Sequence, residues 1–151
     1  MIGWNKGTFL QVARAFGMLA LFTLLATAGS RIAAQEAPKP WVAPEDARKV
    51  KNPVPPTKEN VDAGAQTYMD NCLLCHGEKG MGDGPGATAL KVKPANFTDK
   101  KLMSAETDGS LFWKMTQGRG PMPSWKDVLS DTERWQLVDY IRTLIKTAAE
   151  K

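Results

Sequence analysis

Residues 71–77 read Asn-Cys-Leu-Leu-Cys-His-Gly, and this stretch decides the fold and the chemistry of the chain. It contains both cysteines and the only histidine among 151 residues. All thiol and imidazole groups, which are strong ligands for transition metals, therefore fall within five positions, at Cys72, Cys75 and His76. Such a cluster indicates a site for a metal or for a metal-containing cofactor.

Several chemistries use a Cys-x-x-Cys pair. A thioredoxin-like redox pair lies beside a βαβ pattern, which the sequence lacks. A structural zinc site needs four ligands; the cluster offers three, so carboxylates would have to complete it. A plain disulfide suits an exported protein in an oxidising compartment.

Covalent attachment of haem at Cys-x-x-Cys-His is the interpretation that uses every residue of the cluster. The two thiols add to the haem vinyl groups, and the adjacent histidine reaches the iron. The sequence therefore predicts one covalently bound haem c, held by Cys72 and Cys75 and ligated by His76.

The second axial ligand of the iron is predicted to be a methionine, because the sequence contains no second histidine. Met122 lies between Pro121 and Pro123, on backbone that the prolines stiffen. A stiff loop can aim a thioether without help from regular structure. Met115 is the alternative ligand, but its place in a predicted helix beside Phe112 favours a role in core packing.

The first 34 residues are predicted to be a secretory signal. Lys6 and Arg14 precede an apolar run over residues 15–29, and the small residues Ala33 and Ala34 come after it, an order typical of such signals. Sixteen residues separate Arg14 from Arg31, whereas a membrane span needs roughly 20. Cleavage is the preferred interpretation and an uncleaved anchor the alternative; either places the rest of the chain in the periplasm or another extracytoplasmic compartment.

The charge argues against a nucleic-acid-binding protein. The net charge of +4 falls to +1 without the first 34 residues, which contain three basic and no acidic side chains. A nucleic-acid-binding protein keeps a strong basic excess in its folded part. Five lysines are expected either to surround the cofactor edge and attract acidic partners or simply to solubilise the surface: Lys79, Lys91, Lys93, Lys114 and Lys126.

Residues 35–56 contain six of the ten prolines. Proline fixes φ and removes a backbone donor, so this stretch is expected to be extended rather than helical. It is interpreted either as a linker or as an arm that lies on the domain surface and buries Trp41 and Val42.

Residues 57–151 are predicted to form an all-α domain. Thr57 is a plausible N-cap for a helix in which Val61, Ala65 and Tyr68 recur at helical spacing. The glycine-rich stretch 77–98 is predicted to be a loop.

Two further helices are predicted towards the C-terminus. Asp108 is expected to cap a short helix over residues 109–117, which Gly118 ends. Ser130 and Glu133 form a capping box in front of the last helix, whose apolar stripe continues to about residue 148.

These motifs, taken in order, resemble the class I single-haem bacterial cytochromes c over residues 57–148. The resemblance rests on three segments: CLLCHG at 72–77, DGSLFWKMTQGRGPMPSW at 108–125 and SDTERWQLVDYIRTL at 130–144. It implies helices wrapped around haem, with the N- and C-terminal helices crossing where Gly64 faces residues 135–140. It also implies that a proline carbonyl, here that of Pro94, accepts the ring proton of His76.

The function that these features predict is single-electron transfer, not enzymatic catalysis, in a periplasmic respiratory or other redox chain. His76 and Met122 would saturate the iron, leaving no position for a substrate. One alternative is a cytochrome subunit held on a larger membrane or periplasmic oxidoreductase complex. Another is an open-site haem enzyme or gas sensor, in which Met122 does not ligate the iron. The expected partners are redox proteins, with membrane contact only if the N-terminal segment is uncleaved.

Overall fold

The computed structural model describes residues 40–149, so the predicted signal over residues 1–34 and the first part of the Pro-rich segment lie outside the described residues. Within 40–149 the chain forms helices and no β-strand, which confirms the all-α prediction. The helices are α1 (Glu45–Lys49), α2 (Lys58–Asn71), α3 (Leu73–His76), α4 (Lys100–Ala105), α5 (Asp108–Gln117) and α6 (Asp131–Ala149), with a 3-10 turn at Pro85–Ala89.

The caps of the two long helices, α2 and α6, form as predicted. The Thr57 side chain accepts a hydrogen bond from the Asn60 amide at 3.3 Å and so begins α2. At α6, the Ser130 amide donates to Glu133 Oε2 at 2.8 Å, and the Glu133 amide donates to Ser130 Oγ at 3.3 Å. Each bond satisfies a backbone donor that the first helical turn leaves unpaired.

Helices α2 and α6 pack closely at Gly64, as the resemblance implied. A Cβ atom on Gly64 would overlap the carbonyl group of Gln136, so only glycine allows this approach. The core lies around this contact, and its buried apolar side chains include Tyr68, Met103, Leu111, Met115, Trp135, Leu137, Val138, Ile141 and Leu144.

Replacing Gly64 with alanine should destabilise the protein. The new methyl group meets backbone of α6, which cannot rotate away, and such overpacking costs roughly 1–3 kcal/mol. Alanine recovers up to about 1 kcal/mol of helix propensity. Because its Cβ would lie 2.1 Å from the Gln136 carbonyl oxygen, we expect a cost in the upper part of the range and a net loss in denaturant unfolding. Gln66→Ala, on the exposed face of α2, is the matched control and should stay within about 0.5 kcal/mol of wild type. A Gly64→Ala protein as stable as wild type would contradict the close helix contact.

Residues 40–56 pack against α5 and α6. The Ala47 carbonyl approaches Gly109 so closely that a Cβ atom there would overlap it. The Thr107 hydroxyl donates to the Arg48 carbonyl at 2.9 Å, and the Asn52 side-chain amide donates to Asp139 Oδ1 at 2.8 Å. Asp139 is buried, and this burial raises the pKa of its carboxyl group.

The expectation that this segment is extended throughout was wrong for α1. Pro44 lies at the N-cap, where its missing N–H costs no helical hydrogen bond. Acidic residues follow in the first turn and basic residues in the last, an order that the helix dipole favours.

Of the two residues expected to be buried if the segment is an arm, the ring of Trp41 lies 6.4 Å from that of Trp113, whereas Val42 is 64% exposed.

Helix α5 begins one residue earlier than predicted. Its N-cap is Thr107, whose hydroxyl accepts a hydrogen bond from the Ser110 amide at 3.1 Å. Asp108, the predicted cap, lies in the first turn, and its carboxylate accepts a hydrogen bond from Arg142 Nε at 2.8 Å. The long-range partner on α6 therefore draws this carboxylate away from the capping position.

Candidate haem-attachment site

The cysteine–histidine cluster forms a single helical turn directly after α2. The amides of Cys75 and His76 approach the Cys72 carbonyl at 3.2 and 2.9 Å. Side chains at positions i, i+3 and i+4 share one face of a helix. The turn therefore presents Cys72, Cys75 and His76 on one side, while Leu74 between them is 62% exposed.

A glycine-rich loop satisfies the carbonyl groups of this turn. The Gly82 amide donates to the His76 carbonyl at 2.8 Å, and the Gly84 amide donates to the Cys75 carbonyl at 3.2 Å. The buried Tyr68 hydroxyl donates to the Gly77 carbonyl at 2.7 Å. Gly77 has φ +78°, a left-handed conformation that favours glycine and ends the turn sharply. The loop therefore holds the cluster in place.

The two cysteines are half-buried free thiols. Burial raises the pKa of Cys72 to about 12, and the nearby Cys75 adds to the effect. Within residues 40–149, no group of three or more His, Cys, Asp and Glu side chains is arranged to hold a metal ion, so the zinc interpretation lacks its ligand set there.

The imidazole of His76 lies within hydrogen-bonding distance of a backbone carbonyl. Its Nδ1 lies 3.2 Å from the Ala95 carbonyl oxygen. Burial lowers the pKa of His76, and the hydrogen bond to Ala95 opposes that shift in part. A neutral ring whose Nδ1–H is held by a carbonyl presents Nε2 as the ligating atom. The two thiols and this imidazole therefore fit the attachment of one haem.

The carbonyl that pairs with His76 is not the predicted one. In the structure, the acceptor is Ala95, one residue beyond Pro94. The Pro94 carbonyl faces Gly82 instead, where a Cβ atom would lie only 2.5 Å from its oxygen. The close approach of the two loop segments at Gly82 thus turns the next carbonyl towards the histidine.

Phe97 is a site residue that the sequence analysis missed. Its ring stacks on the His76 ring with centroids 4.5 Å apart and an interplanar angle of 15°. The available signal was its position in the same short segment as Pro94, KPANF, but an isolated phenylalanine after a loop has no periodicity that assigns it to a site.

The loop that carries Met122 is held by backbone hydrogen bonds. The Arg119 amide donates to the Met122 carbonyl at 2.9 Å, and the Met122 amide donates to the Arg119 carbonyl at 3.3 Å. Gly118 and Gly120 both have φ +65°, which supplies the sharp bends around this pair. The Met122 side chain is half-buried and packs against the core.

The loop is also joined to the end of α5. The Trp125 amide donates to the Met115 carbonyl at 3.0 Å, and the Ser124 hydroxyl donates to the Thr116 carbonyl at 2.7 Å. These bonds satisfy carbonyls that the last turn of a helix leaves unpaired. The position of Met122 is therefore fixed relative to α5.

The other described methionines differ from Met122 in their surroundings. Met103 and Met115 are buried in the core, in agreement with the interpretation of Met115 as a packing residue. Met69 and Met81 are 41% and 49% exposed.

One of the five lysines expected near the cofactor is engaged elsewhere. Lys114 is mostly buried, forms an ion pair with Glu106 and lies 5.7 Å from the centre of the Trp41 ring. Lys79, Lys91, Lys93 and Lys126 are exposed.

Comparison with known proteins adds independent information. The family model described as cytochrome c oxidase, cbb3-type, subunit III matches residues 59–141, which include every predicted site residue. Cytochrome c6 of Euglena gracilis is 32% identical over 80 residues, covering 53% of this chain and 87% of that protein. The cbb3-type cytochrome c oxidase subunit FixP of Bradyrhizobium sp. (strain ORS 278) is 32% identical over 92 residues, covering 59% of this chain and 30% of that subunit.

A solved structure is also similar. A chain of the reducing HAO-like protein complex of Kuenenia stuttgartiensis is 34% identical, with a TM-score of 0.57. The similarity covers 64% of this chain and about half, 49%, of that one.

Proposed function

Because this chain belongs to the class I c-type cytochromes, we propose that it carries single electrons through one haem c bound to Cys72 and Cys75 and ligated by His76 and Met122. The observation that carries the proposal is the helical turn that presents both thiols and the imidazole on one face, held from behind by the glycine-rich loop. The bound haem supplies an iron that alternates between two oxidation states.

Each site residue has a distinct role in this proposal. The two thiols form thioether bonds that keep the cofactor on the chain. The Ala95 carbonyl holds the Nδ1 proton of His76, which orients the ring and makes its other nitrogen a stronger ligand. The Met122 thioether would be the second ligand of the iron and would favour the reduced state. With His76 and Met122 both ligating the iron, neither a substrate nor a gas would have a place to bind.

The chain is proposed to act in the periplasm after export by the segment 1–34, with residues 35–56 serving as an arm of the cytochrome domain. The order of basic, apolar and small residues in the first 34 positions supports export. None of the helices within residues 40–149 is long and apolar enough to cross a membrane. N-terminal sequencing of the isolated protein should begin near Gln35 if the signal is cleaved, and at Met1 if it is an anchor.

A second candidate function is that of a cytochrome subunit within a larger oxidoreductase. The similarity to FixP, a cytochrome oxidase subunit, and to a chain of the HAO-like complex favours this reading. The two functions differ in the size of the native particle. A free carrier should elute from a membrane-free extract at the size of a single chain, whereas a subunit should elute with its partners.

A redox titration combined with carbon monoxide tests the proposed function. The optical spectrum should change reversibly between two states with a one-electron slope of about 59 mV per decade. Carbon monoxide should leave the spectrum of the reduced protein unchanged at neutral pH, because Met122 and His76 occupy both axial positions. Binding of carbon monoxide by the wild-type protein would contradict the proposal and favour an open-site haem enzyme or gas sensor.

A further inference from the structure

We propose that Phe97 is a positioning residue that fixes the plane of the His76 imidazole. This inference rests on the proposed role of His76 as the axial ligand, and it adds a residue that the motif Cys-x-x-Cys-His does not contain. The observation behind it is the parallel contact between the two rings, at 4.5 Å between centroids and 15° between planes.

The hydrogen bond to Ala95 restricts the imidazole but does not by itself fix the plane of its ring. At 3.2 Å, the Nδ1 to carbonyl distance lies at the long end of the normal range. A single bond of this length holds one ring atom in place but still allows the plane of the ring to tilt. The stacked ring of Phe97 opposes this motion, because tilting the imidazole would break the stack or drive the two rings together.

Phe97 can orient another ring because it is itself held on several sides. Its amide donates to the Gly80 carbonyl at 2.7 Å. The ring of Tyr68 meets Phe97 edge-on, with centroids 6.4 Å apart and planes at 67°. The side chain of Phe97 is only 8% exposed. The phenylalanine is therefore part of the core rather than a mobile surface side chain.

The residues that hold Phe97 also contact the turn that bears His76 and the loop that follows it. Tyr68, which supports Phe97 from the side, donates its hydroxyl proton to the Gly77 carbonyl at 2.7 Å, directly after His76. Gly80, which accepts the amide proton of Phe97, belongs to the loop that follows the turn. A Cβ atom on Gly80 would come within 3.4 Å of Phe97, so the loop lies against the phenylalanine. Tyr68 and Gly80 therefore link the segment that bears Phe97 to the turn that bears His76.

The orientation of the His76 ring also affects the electronic properties of the iron in the proposed function. Partners in the outer shell of a metal site fix the orientation and tautomer of a histidine ligand and so tune the metal. The plane of an imidazole that ligates haem iron is one of the factors that set how unpaired electron density is distributed over the haem of the oxidised protein. A readout of that distribution therefore reports the role of Phe97 separately from its contribution to packing.

The test uses the full-length haem protein and its Phe97→Leu variant. Leucine keeps an apolar side chain but removes the stacked ring. The hyperfine-shifted haem-methyl resonances of the oxidised protein should change in order and spread. In the reduced protein, the Nδ1 proton of His76 should exchange with water about two- to tenfold faster, as expected from the loss of one aromatic contact.

The control is Phe112→Leu, which removes a ring stacked on Trp135 at 4.0 Å. This change should leave both the resonance pattern and the His76 exchange rate at wild-type values. Phe97→Tyr, which keeps a stacked ring, should also retain the wild-type pattern. If Phe97→Leu does not accumulate, Phe97→Met provides a second ringless variant for the same comparison.

The outcomes separate this inference from the proposed function. An unchanged pattern and exchange rate in the ringless Phe97 variant, in a protein that keeps its haem, would overturn the role of Phe97 alone. An equal change in Phe112→Leu would overturn it as well, because the effect would then be general. Release of all haem from the wild-type protein by acidified acetone would overturn the proposed function and this inference together.

Discussion

A protein in which both Cys72 and Cys75 are replaced by alanine should contain no covalently attached haem. In the wild type, the two thiols lie on one helical turn with His76 and would each form a thioether bond. The variant retains the imidazole, but a metal–ligand bond to His76 does not survive acid denaturation. Haem staining of denaturing gels and extraction with acidified acetone should therefore show complete loss from the polypeptide.

Leu74→Ala is the matched control for this double replacement. Leu74 lies between the two cysteines but is 62% exposed, so its loss should leave attachment intact. Haem that stays on the double-alanine chain after extraction would show that another residue forms the covalent link, and the cysteine assignment would then fail.

Replacing Met122 with alanine should remove one of the two proposed protein ligands of the iron and leave a coordination position free. The oxidised wild-type protein should display the weak absorption band at the red edge of the visible spectrum that the family resemblance implies for an axial thioether. Met122→Ala should lose this band, have a lower reduction potential and bind carbon monoxide when reduced, because methionine ligation favours the reduced state. The spectrum of the oxidised protein measures the band, an optical redox titration measures the potential, and the spectrum of the reduced protein under carbon monoxide measures binding.

Met115→Ala is the control for the methionine prediction. Met115 is 5% exposed and packs in the core, so its truncation should cost roughly 2–5 kcal/mol of unfolding free energy. It should leave the red-edge band in place. If Met115→Ala removes the band and Met122→Ala does not, the ligand lies on α5 rather than on the loop.

The parts of the fold that the sequence predicted well are those fixed by local chemistry. Thr57 and the pair Ser130 and Glu133 cap helices through bonds that reach only three residues along the chain. The resemblance placed Gly64 at the helix crossing correctly, and the helix-propensity cost of an interior glycine is consistent with that close contact. The cysteine–histidine cluster at 72–76 stood out by composition, because both thiols and the only imidazole fall within five positions, but its helical conformation was not predicted.

The parts that the sequence did not predict are either too short to show an apolar stripe or depend on contacts between distant segments. Helix α4 is of the first kind: it has only six residues, and it is capped by Asp99, whose carboxylate accepts bonds from the Lys101 and Leu102 amides at 2.8 and 3.1 Å. The choice of Ala95 over Pro94 as partner of His76 depends on how two loop segments meet at Gly82. No residue pattern within either segment predicts the contact between Gly82 and the Pro94–Ala95 segment.

The intact mass of the wild-type chain after complete denaturation tests the central claim most directly. Thioether bonds at Cys72 and Cys75 survive unfolding, so the measured mass should exceed that of the polypeptide by one haem. A denatured chain with the mass of the polypeptide alone, isolated from a preparation that contained haem when folded, would contradict covalent attachment and the account of electron transfer built on it.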